Sequence, residues 1–288
     1  MLVLVVGGTG FIGRNLVPML SPAVRVLVHR NQPNWLPAGC ETVRGDVLDA
    51  ASLNRAMDGV KVVLNLTGQE GGDSSLVRQT NRVGSALLVD AAAKAGVKYF
   101  IHFSTAQVYG GQEMAEETTP VSPASPYATE KLAAEQAVER FAGAGTLCIL
   151  RLTNVYGPFQ YKGFFGHLVG AMRGGPPVVV NGDGTQRRDF VYVGDVASVV
   201  ERLVADQGNS GVFNIGSGQT RSLVEVMGEV GKLIGRPVPC EWRPGADAGV
   251  SVNGVSIAKA RAMLGFQPID LRTGLQRTLS RSITGGER

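Results

Sequence analysis

The chain has 288 residues, 44% hydrophobic and 18% charged, enough to bury a sizeable core in one body with a smaller lobe. Its net charge of +4 suits an anionic ligand, but no run of lysines and arginines marks a nucleic-acid surface, and no low-complexity tract, charge block or internal repeat is present. Cys40, Cys148 and Cys240 are odd in number, far apart and without metal-ligand spacing, which predicts reduced thiols, no metal centre and a cytoplasmic protein.

The opening MLVLVVGG is apolar from its first residue, has no basic leader and is too short to span a bilayer, so it reads as a core strand and not as a targeting or membrane segment. Apolar, β-branched runs predict strands at Leu2–Val6, Val24–Val28, Thr42–Arg44, Val62–Leu66, Lys98–Ser104 and Thr146–Leu152. Helical patterns fall between them at Ile12–Leu20, Ala51–Met57, Gly84–Ala95 and Pro126–Phe141. The glycine-rich stretch 69–76 reads as mobile. Strands apolar throughout and alternating with helices imply a parallel sheet covered on both faces, an α/β fold of the doubly wound Rossmann type.

After Pro158 the rhythm breaks into loop-rich stretches with helices near 193–206, 222–234 and 256–264. Residues 1–157 therefore read as a dinucleotide-binding domain, and 158–288 mainly as a smaller α/β substrate lobe. The strand-like GVFNIG at 211–216 is expected to return to the main sheet, within a segment 189–217 that rejoins the first domain.

GGTGFIG at 7–13 follows the first strand at once and opens a helix. Gly7, Gly10 and Gly13 supply the tight turn, the close backbone approach and the helix–strand contact of a pyrophosphate loop, and the helix N-terminus turns its N–H groups toward the anion. Phe11, Ile12 and Arg14 share that turn. Asp46, in GDVLD after the third strand, is expected to accept a hydrogen bond from an adenine amino group with Val47 against the ring, while Asp49 fits a helix cap better. Leu66, Thr67 and Gly68 end the fourth strand with small residues where a cofactor passes over strand tips.

The second strand ends in His29–Arg30, where a dinucleotide fold usually carries a carboxylate for the adenosine ribose. Arg30 with Arg14 is positioned to grip a 2′-phosphate, which favours NADP(H) over NAD(H); a solvated Arg30, with the ribose held by backbone groups, is the plainer alternative. SPYATEK at 125–131 places Tyr127 and Lys131 four apart at the start of a helix, hence on one face. An ammonium beside a phenol favours the phenolate and brings its pKa toward working pH. Ser104 and Thr105 end the fifth strand with hydroxyls suited to a substrate oxygen.

Through these residues and through NRVG (81–84), STAQVYG (104–110), RLTNVYGP (151–158), GDGTQRRDFVYVGDVA (182–197), FNIGSG (213–218) and RPGAD (243–247), nearly the whole chain resembles the extended short-chain dehydrogenase/reductases, in their nucleotide-sugar epimerase/dehydratase branch. The resemblance implies Tyr127 as acid/base, Lys131 on the nicotinamide ribose and Thr105 on the reacting oxygen. It implies Asn81 as the residue orienting the supporting helix, with Ser104 and Thr153 beside the cofactor, and a nucleotide sugar bound by Asn154, Arg188 and Arg243 as substrate, in a homodimer paired through helices 84–95 and 126–141. For Arg243 a solvated loop is the alternative.

Dehydratases of this branch carry an acidic pair after the strand-end threonine, where this chain has Ala106–Gln107, so elimination of water is not expected. The motifs toward the substrate favour a C4 epimerase working through a transient 4-keto sugar. The His29–Arg30 tip favours an NADPH-dependent 4-ketoreductase instead, and a non-catalytic NAD(P)-binding protein is the reading from another class.

Overall fold

The computed structural model describes all residues except 21, 22, 31, 70–72, 247–253 and 285–288. Its elements in chain order are β1 (Leu2–Val6), α1 (Phe11–Leu20), β2 (Val24–Val28), β3 (Glu41–Arg44), α2 (Ala50–Ala56), β4 (Val60–Asn65), α3 (Ser74–Arg78), α4 (Gly84–Lys94), β5 (Tyr99–Thr105), α5 (Pro126–Val138), β6 (Thr146–Leu152), β7 (Asn154–Tyr156), α6 (Gly163–Met172), β8 (Val178–Asn181), β9 (Arg187–Tyr192), α7 (Val193–Asp206), β10 (Gly211–Ile215), β11 (Thr220–Ser222), α8 (Leu223–Ile234), β12 (Cys240–Arg243), α9 (Ala258–Leu264) and α10 (Leu271–Thr284).

Seven strands form one sheet in the order β10-β6-β5-β4-β1-β2-β3, every neighbouring pair parallel. Alternation along β1 divides its side chains between two cores, because successive residues of a strand face opposite ways. Val3 and Val5 join Leu16, Val196, Val200 and Ala260 on the face covered by α1, α7 and α9. Leu4 and Val6 join Leu53, Leu88, Phe100 and Val138 on the face covered by α2, α4 and α5. The strand order reverses beside β1, with β2 on one side and β4 on the other, and such a switch point opens a crevice at the carboxyl ends of the strands.

A third core belongs to the smaller lobe, where β11, β9 and β7 form one small sheet and β12 and β8 another. Its centre is aromatic: Tyr156 stacks on Phe165 at 4.6 Å between ring centroids, and Phe165 meets Phe190 edge-on at 5.3 Å. Within 189–217, β10 lies beside β6 in the main sheet, whereas β9 pairs with β7 and β11 in the lobe.

Two local expectations are corrected. The helix starting at Pro126 stops at Val138 and closes through a 3-10 turn at Glu139–Gly143, since Phe141 must fold into the core while Gly145 bonds back to its carbonyl. Of the glycine-rich stretch 69–76, residues 70–72 lie outside the described residues, and Asp73, expected in a mobile loop, caps α3 by accepting from the Ser75 N–H.

Glycines in this fold separate into those that permit a close approach and those that do not. A Cβ at Gly13 would collide with the Gly8 carbonyl, whereas Gly228, exposed in the middle of α8, has nothing within 4 Å. Gly13→Ala is expected to destabilise by about 1–3 kcal/mol through overpacking. Gly228→Ala should instead stabilise by up to about 1 kcal/mol. Thermal and urea unfolding of the two variants checks the contrast.

Candidate active site

The loop after β1 is built for contact. Gly7 adopts φ +80°, and a Cβ there would come 2.9 Å from the Leu66 carbonyl, so the loop lies hard against the end of β4. Gly10 donates to the Gly7 carbonyl at 3.1 Å and Arg14 to the Gly10 carbonyl at 2.9 Å, which turns the chain into α1. Phe11 and Ile12 are half-buried and pack against the lobe core, so the helix N-terminus sits where the two lobes meet. With no carboxylate in its first turn, that terminus presents a positive dipole end to the crevice. A loop that excludes side chains at Gly7 and Gly13, at a helix N-terminus, fits a dinucleotide pyrophosphate.

At the β2 tip, His29 Nε2 lies 3.3 Å from an Asp46 carboxylate oxygen, and the other oxygen accepts from the Leu48 N–H at 2.9 Å. Asp46 is thus shared with the tip itself and not simply presented to an adenine. Asp49 caps α2, accepting from Ala51. Val47 is half-buried against Gly84, where a Cβ would come within 2.9 Å of its side chain. Arg30 is exposed. Arg14 is pinned: its guanidinium lies over the Phe159 ring at 4.2 Å and near Trp35 at 5.7 Å, and it donates to the Tyr161 hydroxyl at 3.5 Å. Asn15 donates to the Pro158 carbonyl at 3.0 Å, which ties the segment after β7 across the start of α1.

Under the tips of β4 and β5 lies a buried polar layer. The Asn65 amide donates to Ser85 Oγ at 3.0 Å and pairs with His102 Nδ1 at 3.1 Å, while its carbonyl accepts from the Thr67 backbone and hydroxyl. Burial holds His102 well below the usual imidazole range, with the Lys131 charge acting the same way. Asn81, fully buried in a π turn over Gln79–Val83, exchanges two hydrogen bonds with the Gln69 backbone, at 3.1 and 2.9 Å. It therefore fixes the exit of β4, including Leu66 and Gly68, against the supporting helix.

Ser125 caps α5 by accepting from the Ala128 N–H, and Pro126 stands in the first turn, where its missing N–H costs nothing. Tyr127 follows, half-buried. Lys131, one turn on, is 2% exposed and donates to the Thr67 carbonyl at 3.3 Å and to the Phe103 carbonyl. Burial lowers its pKa to about 8, against an opposing pull from Glu135. Thr105, 6% exposed, accepts from the Gln107 N–H at 3.2 Å, which leaves its hydroxyl proton for donation. The β4 end, the β5 end and the first turns of α5 are thereby brought together. The Ser104 hydroxyl is a correction: it points into the protein and donates to Glu135 instead of facing a substrate oxygen, because alternation on β5 turns it with Phe100 and His102 toward the helices.

On the lobe side, Asp189 is fully buried and gathers Ser217 N–H and Oγ at 2.7 Å each, Gly218 N–H at 3.1 Å and Thr153 Oγ at 3.3 Å. Its backbone carbonyl accepts from the Asn154 amide at 3.0 Å. Arg188 is half-buried on β9, directly opposite Arg221 on β11, and cross-strand partners share a face. Arg243 is exposed on β12 and pairs with Glu241 at 3.0 Å, which is the solvated arrangement foreseen as its alternative.

Sequence reasoning passed over Glu135, Arg151, Tyr109 and Asn214, which form a buried chain behind the site. Two signals were available: an arginine inside the apolar run TLCILRL needs a buried partner, and Glu135 stands four residues past Lys131 on one helix face.

Residues 3–216 match the model of the NAD dependent epimerase/dehydratase family. The dTDP-glucose 4,6-dehydratase of Streptomyces griseus is 32% identical over 96% of this chain and 92% of its own. The crystal structure of Thermus thermophilus UDP-glucose 4-epimerase in complex with NAD superposes with a TM-score of 0.89, at 29% identity over 99% of both chains. MoeE5 in complex with UDP-glucuronic acid and NAD gives 0.88, at 31% identity over 98% of this chain and 99% of that one. The likeness spans both lobes, and the chain, with its glycine loop, strand-end threonine and buried lysine one turn past a tyrosine, belongs to the NAD-dependent epimerase/dehydratase family of extended short-chain dehydrogenase/reductases.

Proposed function

We propose that this enzyme epimerises an NDP-hexose at C4, with residues 1–157 and the returning strand binding the dinucleotide and 158–288 mainly binding the sugar nucleotide. One observation carries the reading: the Lys131 ammonium is buried at the ends of β4 and β5, one helical turn from Tyr127, while Ala106 and Gln107 stand next to Thr105 and offer no carboxylate for eliminating water. A nicotinamide held over the ends of β4 and β5 would supply the two-electron redox capacity that removal of a hydride from C4 and its return to the opposite face require. Tyr127, as phenolate, takes the C4 hydroxyl proton and later gives it back. Thr105 donates to the same oxygen, and Lys131 stabilises the phenolate and holds the ribose. The substrate's diphosphate falls to Arg188, with Arg221 beside it and Asn154 completing the pocket, while Arg243 reaches it only by giving up its pairing with Glu241.

For the cofactor we propose NADP(H) over NAD(H), since the exposed Arg30 at the β2 tip has no acidic neighbour in chain and Asp46 is engaged by His29. That same tip supports the second reading, an NADPH-dependent 4-ketoreductase. Among the described residues no helix is long and apolar enough to cross a membrane, and we place the protein in the cytoplasm. We also propose a homodimer through α4 and α5. Val83 is 40% exposed, and Ala86, Leu87, Ala133 and Ala137 are half-buried on those helices, a small-residue face suited to a second copy.

Tyr127→Phe should lower turnover by roughly two to four orders of magnitude while dinucleotide affinity holds. NMR of UDP- and dTDP-hexoses incubated with enzyme and no added reductant distinguishes the readings. C4 epimers over many turnovers support the epimerase, while one NADPH consumed per 4-keto sugar and no epimer from any hexose supports the reductase. Arg30→Asp is expected to move preference toward NAD(H) by roughly tenfold or more, and calorimetry showing that the unaltered protein already prefers NAD(H) would refute the NADP assignment. Light scattering at micromolar concentration should return twice the chain mass, and a single chain's mass rules out the dimer.

A further inference from the structure

The layer beneath the site holds a carboxylate that the proposed chemistry does not use. Glu135 is 2% exposed and follows Lys131 by four residues on α5, so the two side chains share a helix face. Arg151, 6% exposed on β6, engages both its oxygens, with Nε at 3.1 and 3.2 Å from the two and Nη2 at 2.7 Å from one of them. The Ser104 hydroxyl on β5 donates to the other oxygen. Arg151 in turn donates to the Tyr109 hydroxyl at 2.8 Å, and Tyr109 to the Asn214 side chain at 2.8 Å. The Asn214 amide reaches the Ala115 carbonyl at 2.9 Å, and its backbone N–H reaches Glu117 at 2.8 Å. Arg151 from β6 and Ser104 from β5 therefore fix the Glu135 carboxylate one helical turn from Lys131, and Tyr109 and Asn214 hold Arg151 in turn.

The groups about Lys131 are few. Strand β5 contributes the Phe103 carbonyl and His102, which burial keeps uncharged. The end of β4 contributes the Thr67 carbonyl, and the π turn packed on α5 contributes the neutral Asn81. On α5 itself stand Tyr127 and Glu135, with Arg151 behind Glu135 on β6. Glu135 is the carboxylate available to offset the loss of water around the ammonium.

We propose that Glu135 is a positioning residue, locked by Arg151 and Ser104 so that the Lys131 ammonium stays charged and stretched between Thr67 and Phe103. The inference rests on the reading of Lys131 as the group that supports Tyr127 and the cofactor ribose. Without the Glu135 carboxylate, only the two backbone carbonyls oppose desolvation and Lys131 loses its proton at lower pH.

The test follows NAD(H) and NADP(H) affinity by calorimetry across roughly pH 6 to 10, alongside thermal unfolding. Affinity of the unaltered protein should fall as Lys131 deprotonates near pH 8. Glu135→Gln is expected to move that fall to lower pH by about one unit or more. Because Glu135→Gln strands Arg151, the paired change Glu135→Gln with Arg151→Gln removes both buried charges together and should show a displacement in the same direction, smaller because the opposing Arg151 charge is lost as well, in a stable fold. Glu135→Asp should restore the profile toward that of the unaltered protein. A paired variant that melts earlier yet keeps the original pH profile overturns the proposal and leaves Glu135 a purely structural residue. A flat profile in the unaltered protein, with Lys131→Met binding as tightly, overturns the reading of Lys131 and the inference with it.

Discussion

A lysine ammonium taken almost wholly out of water is a costly arrangement, and the structure around the site is organised to meet that cost. The backbone carbonyls of Thr67, just past the end of β4, and of Phe103, near the end of β5, accept from it, which requires β4 to stop beside the last residues of β5. Both carbonyls lie at the carboxyl end of the sheet, where the crevice beside β1 opens. The helix carrying the lysine must then start beside the β5 end, and Ser125 and Pro126 begin it there. The constraint thus runs from a charge to a sheet edge to a helix cap.

The lobe is joined to this framework by a second buried charge. Asp189 on β9 collects donors from the turn after β10 and from Thr153 between β6 and β7, so the main sheet and the small sheet meet in one carboxylate. Burial raises its pKa while the backbone donors around it act the other way. A residue held in this manner positions Asn154 and Arg188 without needing to touch a ligand. The tie of Asn15 to Pro158 and the placement of Arg14 over Phe159 make a further connection, on the side of the glycine loop.

Similarity across the whole chain extends to a dehydratase and an epimerase alike. The resemblance leads one to expect an acidic pair after the strand-end threonine of a dehydratase. Here Ala106 is 1% exposed and packed into the core, and Gln107 carries no ionisable group, so the epimerase reading rests on two positions and not on degree of likeness.

The sequence alone determined the alternating parallel strands, the glycine loop and the Tyr127–Lys131 spacing, because each depends on residues close in the chain: periodicity, turn chemistry and one helical turn. Element ends followed less closely, as at Val138, where packing of Phe141 overrides helical propensity. The inward turn of Ser104, the sharing of Asp46 with His29 and the engagement of Arg243 by Glu241 were decided only in three dimensions. So was the chain from Glu135 through Arg151 and Tyr109 to Asn214. Its members come from a helix, two strands and a turn spread over more than a hundred residues, and nothing local specifies which buried donor meets which buried acceptor. That pairing is fixed when the sheet register and the helix rotation are fixed, and both are properties of the packed core.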